Sequence, residues 1–450
     1  MSGLSIFSAF PAAGPSSWAL GDKPVWRGGT PANAGWWHPK SVFAADFVKA
    51  RYARQGANSD FASAFSFARS STALLADASG IRQTFAADAL ARISGVGAYI
   101  GGASTQLLTA PSDFSNAAWT KSAGCVVAEE TGYQTLSDTS ASVMATFTQR
   151  VAHAADTQVR TAWVLLRKDS VANTARALWF DCPGDGSGRR RLVLINTATG
   201  AYAASFATLS EGALAVRDLG YAWLVSCAYV NNGSATSVQI IVIPARRADI
   251  GDSGSTPSLT GSVSVYGSGV IVGTAFPPFL SGAKLADDLR AAASGSDPFA
   301  GFAAGNLGNG LSILAAVNLS RSGDGAVRPV AEFSDGTATN RLRFYIDSDD
   351  RPAAQVVSGG SVLATAKLSV VLTPGRAVLA ATYDPASGLY LACKTGLAEA
   401  SAALSGMPSG LAALRLGSSL GGNYLNDLVE QMQVCRPLSQ AEAKDWVQTA

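Results

Sequence analysis

Histidine is almost missing: His38 and His153 are the only two in 450 residues. Zinc sites and Ser-His-Asp machinery draw on histidine first, so most of those chemistries lack material here. Neither histidine lies in a recognisable nucleophile setting, and His153, which follows a strand pattern, reads as a surface residue. Cysteine is thin as well. Cys125, Cys182, Cys227, Cys393 and Cys435 are odd in number and far apart, with no C-x-x-C. That excludes a disulfide framework or a zinc knuckle and reads as small buried hydrophobes. Charged residues make up 15% of the chain, well under the usual share of about a quarter. A net charge of +2 gives no basic field for nucleic acid. No apolar run is long enough to cross a bilayer as a helix. The first residues lack a basic stretch followed by an apolar one, so no secretory signal is expected, and the chain is expected to fold in a cytosol. No repeat of solenoid length and no heptad is present. No cofactor or metal is implied.

What is abundant is glycine, 46 residues, with alanine, serine and threonine, a composition that suits short strands and tight turns. Trp18, Trp26, Trp36 and Trp37 crowd the first part of the chain among Pro11, Pro15, Pro24, Pro31 and Pro39. Such a Pro-broken stretch is neither a long helix nor a central strand. A tryptophan covers ~150–250 Å² when packed, so residues 1–65 are expected to be an extended arm that anchors to a particle by burying these rings on other subunits. Within the arm, Phe43, Phe47 and Ala50 fall at helical spacing and predict a short helix over 42–55. Residues 66–110 read as a linker with short strands.

Residues 111–280 hold about seven strand patterns separated by turn signals such as Asn196-Thr197-Ala198-Thr199-Gly200, which predicts a β-sandwich. A short helix is expected near 281–296 from Leu285 and Leu289. Residues 281–450 form a second β block. It ends in Ser439-Gln440-Ala441-Glu442, a capping box, with Ala443, Trp446 and Val447 on the apolar face of the helix that follows.

Among motifs, Gly184-Asp185-Gly186-Ser187-Gly188 lacks the Lys-Ser/Thr of a phosphate loop and reads as a hairpin loop. Asp347-Ser348-Asp349-Asp350 resembles the start of a calcium loop but lacks the later Gly and Glu, so it reads as a polar turn. Alternation in the strand around Trp179 puts Leu178 and Phe180 on the core face and Trp179 with Asp181 on the other. In 341–347, Leu342, Phe344 and Ile346 face in, and Arg343 and Tyr345 face out. Trp179, Asp181, Arg343 and Tyr345 are therefore the candidate carbohydrate-binding residues, because sugar sites combine a ring with a few hydrogen-bonding groups. The competing reading is that the rings pack under a loop or at an interface. Trp163 and Trp223 are expected to plug the core. No catalytic residue is assigned.

The run Leu107-Leu108, Ser112-Asp113-Phe114, Asn116-Ala117-Ala118-Trp119-Thr120-Lys121 resembles the opening of a β-sandwich module of tailed-phage virion proteins, including tail fibres and spikes. Upstream, Phe67-Ala68-Arg69-Ser70-Ser71-Thr72-Ala73, Asp77-Ala78-Ser79-Gly80 and Arg82 resemble the linker that leads into it. The tie in that family is commonly Thr-Asn-Leu-Leu; here it is Thr105-Gln106-Leu107-Leu108, a departure at one position. The resemblance spans about Phe67 to Phe279. Downstream, Leu414-Arg415-Leu416-Gly417, Gly422-Asn423-Tyr424-Leu425-Asn426-Asp427 and Leu438-Ser439 resemble the close of concanavalin A-like and laminin-G-like lectin sandwiches. The Glu-x-Asp-x-x-Glu strand of glycosidases that share that fold is absent.

Together these readings predict an all-β chain with two β-sandwich domains after an N-terminal arm. The resemblance implies a virion attachment protein (fibre, spike or capsid decoration) that binds host surface polysaccharide, forms a homotrimer, contacts other virion proteins through the arm and is assembled in the host cytoplasm. It implies neither nucleic-acid binding nor membrane insertion. The alternatives are a structural tail, baseplate or collar subunit without ligand, and a polysaccharide depolymerase.

Overall fold

The computed structural model describes residues 36–54, 57–76, 82–169, 175–181, 190–205, 214–219, 221–230, 233–250, 259–272, 283–284, 288–291, 310–319 and 325–450. Trp18, Trp26, Cys182, the 184–188 loop and the exit at 277–278 lie outside these residues. The chain is all-β and divides into two compact units.

The first unit has two antiparallel six-stranded sheets. One runs Cys125–Glu130, Tyr133–Asp138, Gly261–Val272, Val159–Arg167, Ala222–Val230, Leu214–Asp218. The other runs Thr120–Lys121, Phe147–Ala152, Ser237–Arg247, Ala175–Asp181, Arg190–Ile195, Tyr202–Ser205. Alternation builds the core between them. Ala162, Val164 and Leu166 come from one sheet, and Leu178, Phe180, Val238, Ile240 and Val242 from the other.

The opening run of this unit is a plug. Phe114 and Trp119 are buried with ring centroids 4.3 Å apart, and the Trp119 indole donates to the Ala110 carbonyl at 2.8 Å. Asp113 Oδ1 accepts from the Ser115 and Asn116 amides. Lys121 Nζ donates to the Phe114, Ser115 and Asn116 carbonyls. Much of the turn's backbone polarity is thereby met by the chain itself. Gln106, the departure in the Leu-Leu tie, accepts from the Val270 and Leu108 amides at 2.9 and 3.1 Å.

Trp163 fills a hydrophobic core as expected, though in a cluster of its own, and Trp223 departs from expectation. Trp163 is buried with Leu165, Leu224 and Tyr266, separate from the core cluster between the sheets. It lies against Gly269, where an added Cβ would come within 2.5 Å of the indole. Trp223 is half-buried, and its indole donates to the Thr197 carbonyl at 2.7 Å.

The second unit is not confined to residues after 280. It includes 36–72 and 85–103 among the described residues. Its larger sheet runs Ala57–Ser59, Arg51–Arg54, Ser41–Asp46, Asp427–Cys435, Leu311–Leu319, Gly375–Asp384, Gly388–Cys393, Ala398–Ala402. Gly97–Ile100 also pairs with Asp427–Cys435. Its smaller sheet runs Ser361–Lys367, Pro352–Ser358, Arg341–Ile346, Arg328–Ser334, Ala413–Leu416, Asp288–Ala291, Phe65–Ala68. The Gln440–Thr449 helix carries the expected capping box and packs Ala443, Trp446 and Val447 against Leu314, Ala316, Val378 and Ala380.

Three expectations are corrected here. The helix over 42–55 is a hairpin of Ser41–Asp46 with Arg51–Arg54. Phe43, Ala45 and Phe47 bury in the core, while Ala44 joins Trp36, Trp37 and Ala53 in a second cluster. That is period two, which the i, i+4, i+7 count masked. The described part of the arm is therefore not extended over other subunits. Trp36 and Trp37 are 6% and 4% exposed, packed edge to face within their own chain. The helix near 281–296 is replaced among the described residues by the strands Ala283–Lys284 and Asp288–Ala291.

Arg69, from the linker wording, is a clasp. Its guanidinium donates to the Ser71, Ala86 and Ala89 carbonyls at 2.8–2.9 Å, and its own amide donates to Asp88 Oδ1. All four described cysteines are free thiols, three of them buried; burial pushes Cys227 up to about 11.

Two outcomes follow from this arrangement. Removing residues 1–65 strips Asp427–Cys435 of its Ser41–Asp46 neighbour, so the truncated chain should lose cooperative unfolding of the second unit; a full-length-like melting transition in the truncation would contradict this. His38 is held down to about 4, first by burial, with Lys40 adding and Glu442 opposing. Because its folded pKa lies below the free value of 6.5, its contribution is complete above pH 6.5 and is lost as the pH falls toward 4. The loss is about 3 kcal/mol. Denaturant titrations across that window should show the slope, and His38→Gln should flatten it.

Candidate functional site

Cross-strand register in the smaller sheet of the second unit assembles a row that no local motif announces. Ser66 pairs with Arg290, Arg290 with Arg415, Arg415 with Glu332, Glu332 with Arg343, Arg343 with Gln355, and Gln355 with Thr365. The neighbours in sequence of its central members are core residues: Ala331 and Phe333, Leu342 and Phe344, Ala354 and Val356, Leu414 and Leu416. Strand alternation therefore puts the row on the face turned from the core. Adjacent strands are ~4.8 Å apart, so seven of them span roughly 29 Å.

Glu332 is the hub. It is 1% exposed, its Oε1 accepts from the Leu420 amide at 2.8 Å, and its Oε2 lies 3.4 Å from Arg341 Nη1 and 3.8 Å from Arg343 Nε. Arg343 Nη1 donates to Gln355 Oε1 at 3.3 Å, and Gln355 Nε2 donates to Thr365 Oγ1 at 3.3 Å. The Arg343 guanidinium lies 4.5 Å over the Tyr345 ring, a cation–π contact that fixes its plane. Below, the Tyr383 hydroxyl donates to the Arg343 carbonyl at 2.7 Å. Burial raises the Tyr345 phenol, which stays neutral through the physiological range.

Of the four residues proposed for carbohydrate, Arg343 and Tyr345 are brought together. Tyr345 is not an open platform, however: it is 6% exposed, with the guanidinium on its ring. The group offered is the cation. Trp179 belongs to the other unit. It is half-buried opposite Leu192 and Ile241, in an apolar setting. The Asp181 side chain lies outside the described residues. Glu332, Arg415, Gln355 and Arg341 were missed, because pairing register is a long-range property absent from any local spacing. In the Asp347–Asp350 turn, Lys367 Nζ sits 2.5 Å from Asp347 Oδ2 and 2.9 Å from Asp349 Oδ1, so an ammonium from the chain stands between the two carboxylates. Among the described residues, no group of three or more His, Cys, Asp or Glu is placed to hold a metal ion.

No protein-family model and no curated protein matches the chain. Among solved structures, the chain is similar to the carbohydrate-binding module CBM40 of the Ruminococcus gnavus IT-sialidase. The identity is 16% over 31% of this chain and 82% of that one, with a TM-score of 0.26. The same module bound to α2,6-sialyllactose and to α2,3-sialyllactose matches at 16% and 17% identity, again with TM-scores of 0.26. A similarity of this size assigns neither ligand nor residue role to this chain.

Glu332→Gln removes the one carboxylate that Arg341 and Arg343 share. The variant should be less stable by about 2 kcal/mol, the scale of losing charged hydrogen bonds at a buried acceptor. Chemical denaturation should show it, and Arg343→Gln should cost less, since Arg341 still meets Glu332. An unchanged midpoint for Glu332→Gln would mean the row is not held together by this residue.

Proposed function

We propose that this chain is an attachment subunit of a tailed-phage or phage-like particle and that it binds a host-surface polysaccharide without cutting it. The observation that carries the binding half is the polar row on the smaller sheet. It places guanidinium, amide and hydroxyl groups on one sheet face around the buried Glu332 carboxylate, with Arg343 set in orientation by Tyr345 and Gln355. Such a surface meets the hydrogen-bonding groups of an extended sugar chain. The particle half is supported by the virion-like wording from Phe67 to Phe279. In this reading the protein is assembled in the host cytoplasm, works on the virion as a homotrimer, and contacts other virion proteins. Of the four anchoring tryptophans, Trp18 and Trp26 keep that proposed role. Three copies raise a modest single-site affinity by ~10²–10⁴ where geometry lets them engage together.

Binding without cleavage is supported by the make-up of the row. It carries one carboxylate, Glu332, committed to Arg341, Arg343 and the Leu420 amide, whereas glycosidic cleavage uses two carboxyl groups across the bond.

The test is purified full-length protein on host cells and on extracted capsular polysaccharide and lipopolysaccharide. Retained binding with no new reducing ends is the expected result. Release of oligosaccharides would make the protein a depolymerase. Failure to bind any surface fraction would make it a structural tail, baseplate or collar subunit.

A further inference from the structure

We infer that the corner at residues 36–40 is an acid-released latch: protonation of the His38 ring lets this segment leave the outer face of the larger sheet while the sandwich beneath it stays folded. The ring's place in the bonding makes it the trigger. His38 is 4% exposed. Its Nδ1 accepts from the Lys40 amide at 3.1 Å, its own amide donates to Gln433 Oε1 at 2.8 Å, and its carbonyl accepts from the Ser41 amide at 2.8 Å. The Arg436 amide donates to the Lys40 carbonyl at 2.9 Å. Four main-chain donors close one corner, and the imidazole itself meets one of them.

Only a neutral ring can do this. A second proton, taken from solvent, goes to Nδ1 and sets an N–H against the Lys40 N–H. The acceptor is lost, and a cation is left in a buried corner. The surroundings do little to steady it. Glu442 of the Gln440–Thr449 helix favours the cation, but its carboxylate already meets Lys40 Nζ at 2.8 Å and the Ser439 amide and hydroxyl at 2.8 and 2.9 Å. Lys40 opposes the cation. The strand Asp427–Cys435 contributes the neutral Gln433 and Cys435, whose thiol burial pushes up. Further out, Asp445 lies one turn along the helix, Arg436 is exposed, and Arg54 reaches the Ser63 carbonyl. Lys444 is paired with Glu399, Asp46 with Arg51, and Glu430 with Arg376.

What the latch covers is separable from the core. The hairpin puts Phe43, Ala45 and Phe47 into the main core on one side, and Ala44 and Ala53 into a small cluster with Trp36 and Trp37 on the other. Lifting residues 36–40 gives up that cluster, the four bonds, and the contacts of Trp36 with Asn58 and Arg51. It leaves the main core and the ladder between Ser41–Asp46 and Asp427–Cys435 in place. Five freed residues let the chain before them stand off by up to ~17 Å.

The experiment is amide hydrogen exchange on the full-length protein between pH 7.5 and pH 5, read as protection factors so that the intrinsic pH dependence cancels. The Lys40, Ser41 and Arg436 amides should lose about thirtyfold in protection, because releasing a ring held at about 4 toward its free value of 6.5 favours the opened state by that factor. At each pH they should be less protected than the amides of Gly375–Asp384, and their exchange should respond little to dilute urea, since a local opening exposes little surface. His38→Gln should hold their protection level across the range. The wild-type ring gives a second reading: its carbon-bound protons should titrate near pH 4.

Unchanged protection in the wild type would overturn the latch. Protection equal to that of Gly375–Asp384 would overturn it as well, because the corner would then open only with the whole unit. The same fall in His38→Gln, or a wild-type ring that titrates near its free value, would overturn His38 as the trigger.

Discussion

The second unit depends on one strand. Asp427–Cys435 is bonded along one edge to Leu311–Leu319 and along the other to Ser41–Asp46 and Gly97–Ile100. Both its faces are buried, with Val429, Met432 and Val434 in the main core and Cys435 under the terminal helix. A strand in this position cannot leave either edge open, because unpaired backbone groups there have no water to turn to. The segments around residues 40 and 100 are therefore structural parts of a sandwich whose other strands lie some three hundred residues on. That requirement explains why proline and tryptophan density near the start of the chain does not mark a free arm over residues 36–65. Trp36 and Trp37 cover Ala44 and Ala53 on the outer side of the same hairpin.

Much of the fold was legible because it is local. The in/out alternation of Leu342, Phe344 and Ile346 against Arg343 and Tyr345, the capping box at Ser439, and the core role of Leu178 and Phe180 all follow from a period of two or from a fixed spacing. The opening run and the linker before it have a physical content of their own. Asp113, Asn116, Trp119 and Lys121 satisfy a turn from within, and Arg69 ties three backbone carbonyls. These residues keep chain segments closed. The opening segment thus carries information about architecture, while any function taken from it comes through resemblance alone.

The candidate site was only half legible, for a reason that generalises. Arg343 and Tyr345 are i and i+2 on one strand, and a period of two finds them. Glu332, Gln355 and Arg415 lie on three other strands, and their alignment depends on register, which is set by hairpin geometry and by a bulge between Pro329 and Ala331. A shift of one residue in the Arg328–Ser334 strand would exchange Glu332 for Ala331 or Phe333 and turn a charge into the core. The row is thus specified by the same hydrophobic pattern that builds the sandwich: burying Ala331 and Phe333 is what delivers Glu332 to the opposite face.

The remaining step concerns what Tyr345 does. An outward tyrosine beside an arginine invites a reading in which the ring stacks on sugar and the arginine assists. The observed order is the reverse. The guanidinium occupies the ring face at 4.5 Å, so the aromatic surface is already used, and its effect is to hold a cation flat and partly desolvated. Desolvation weakens competition from water and raises the worth of any charge that reaches the guanidinium. Gln355 on one side and Glu332 on the other then limit its rotation. A mobile surface arginine would lose side-chain entropy on binding, whereas this one has lost most of it in folding. The cost has been met by the same ring that the sequence pattern first singled out, and what the strand presents there is a held cation in place of an open ring.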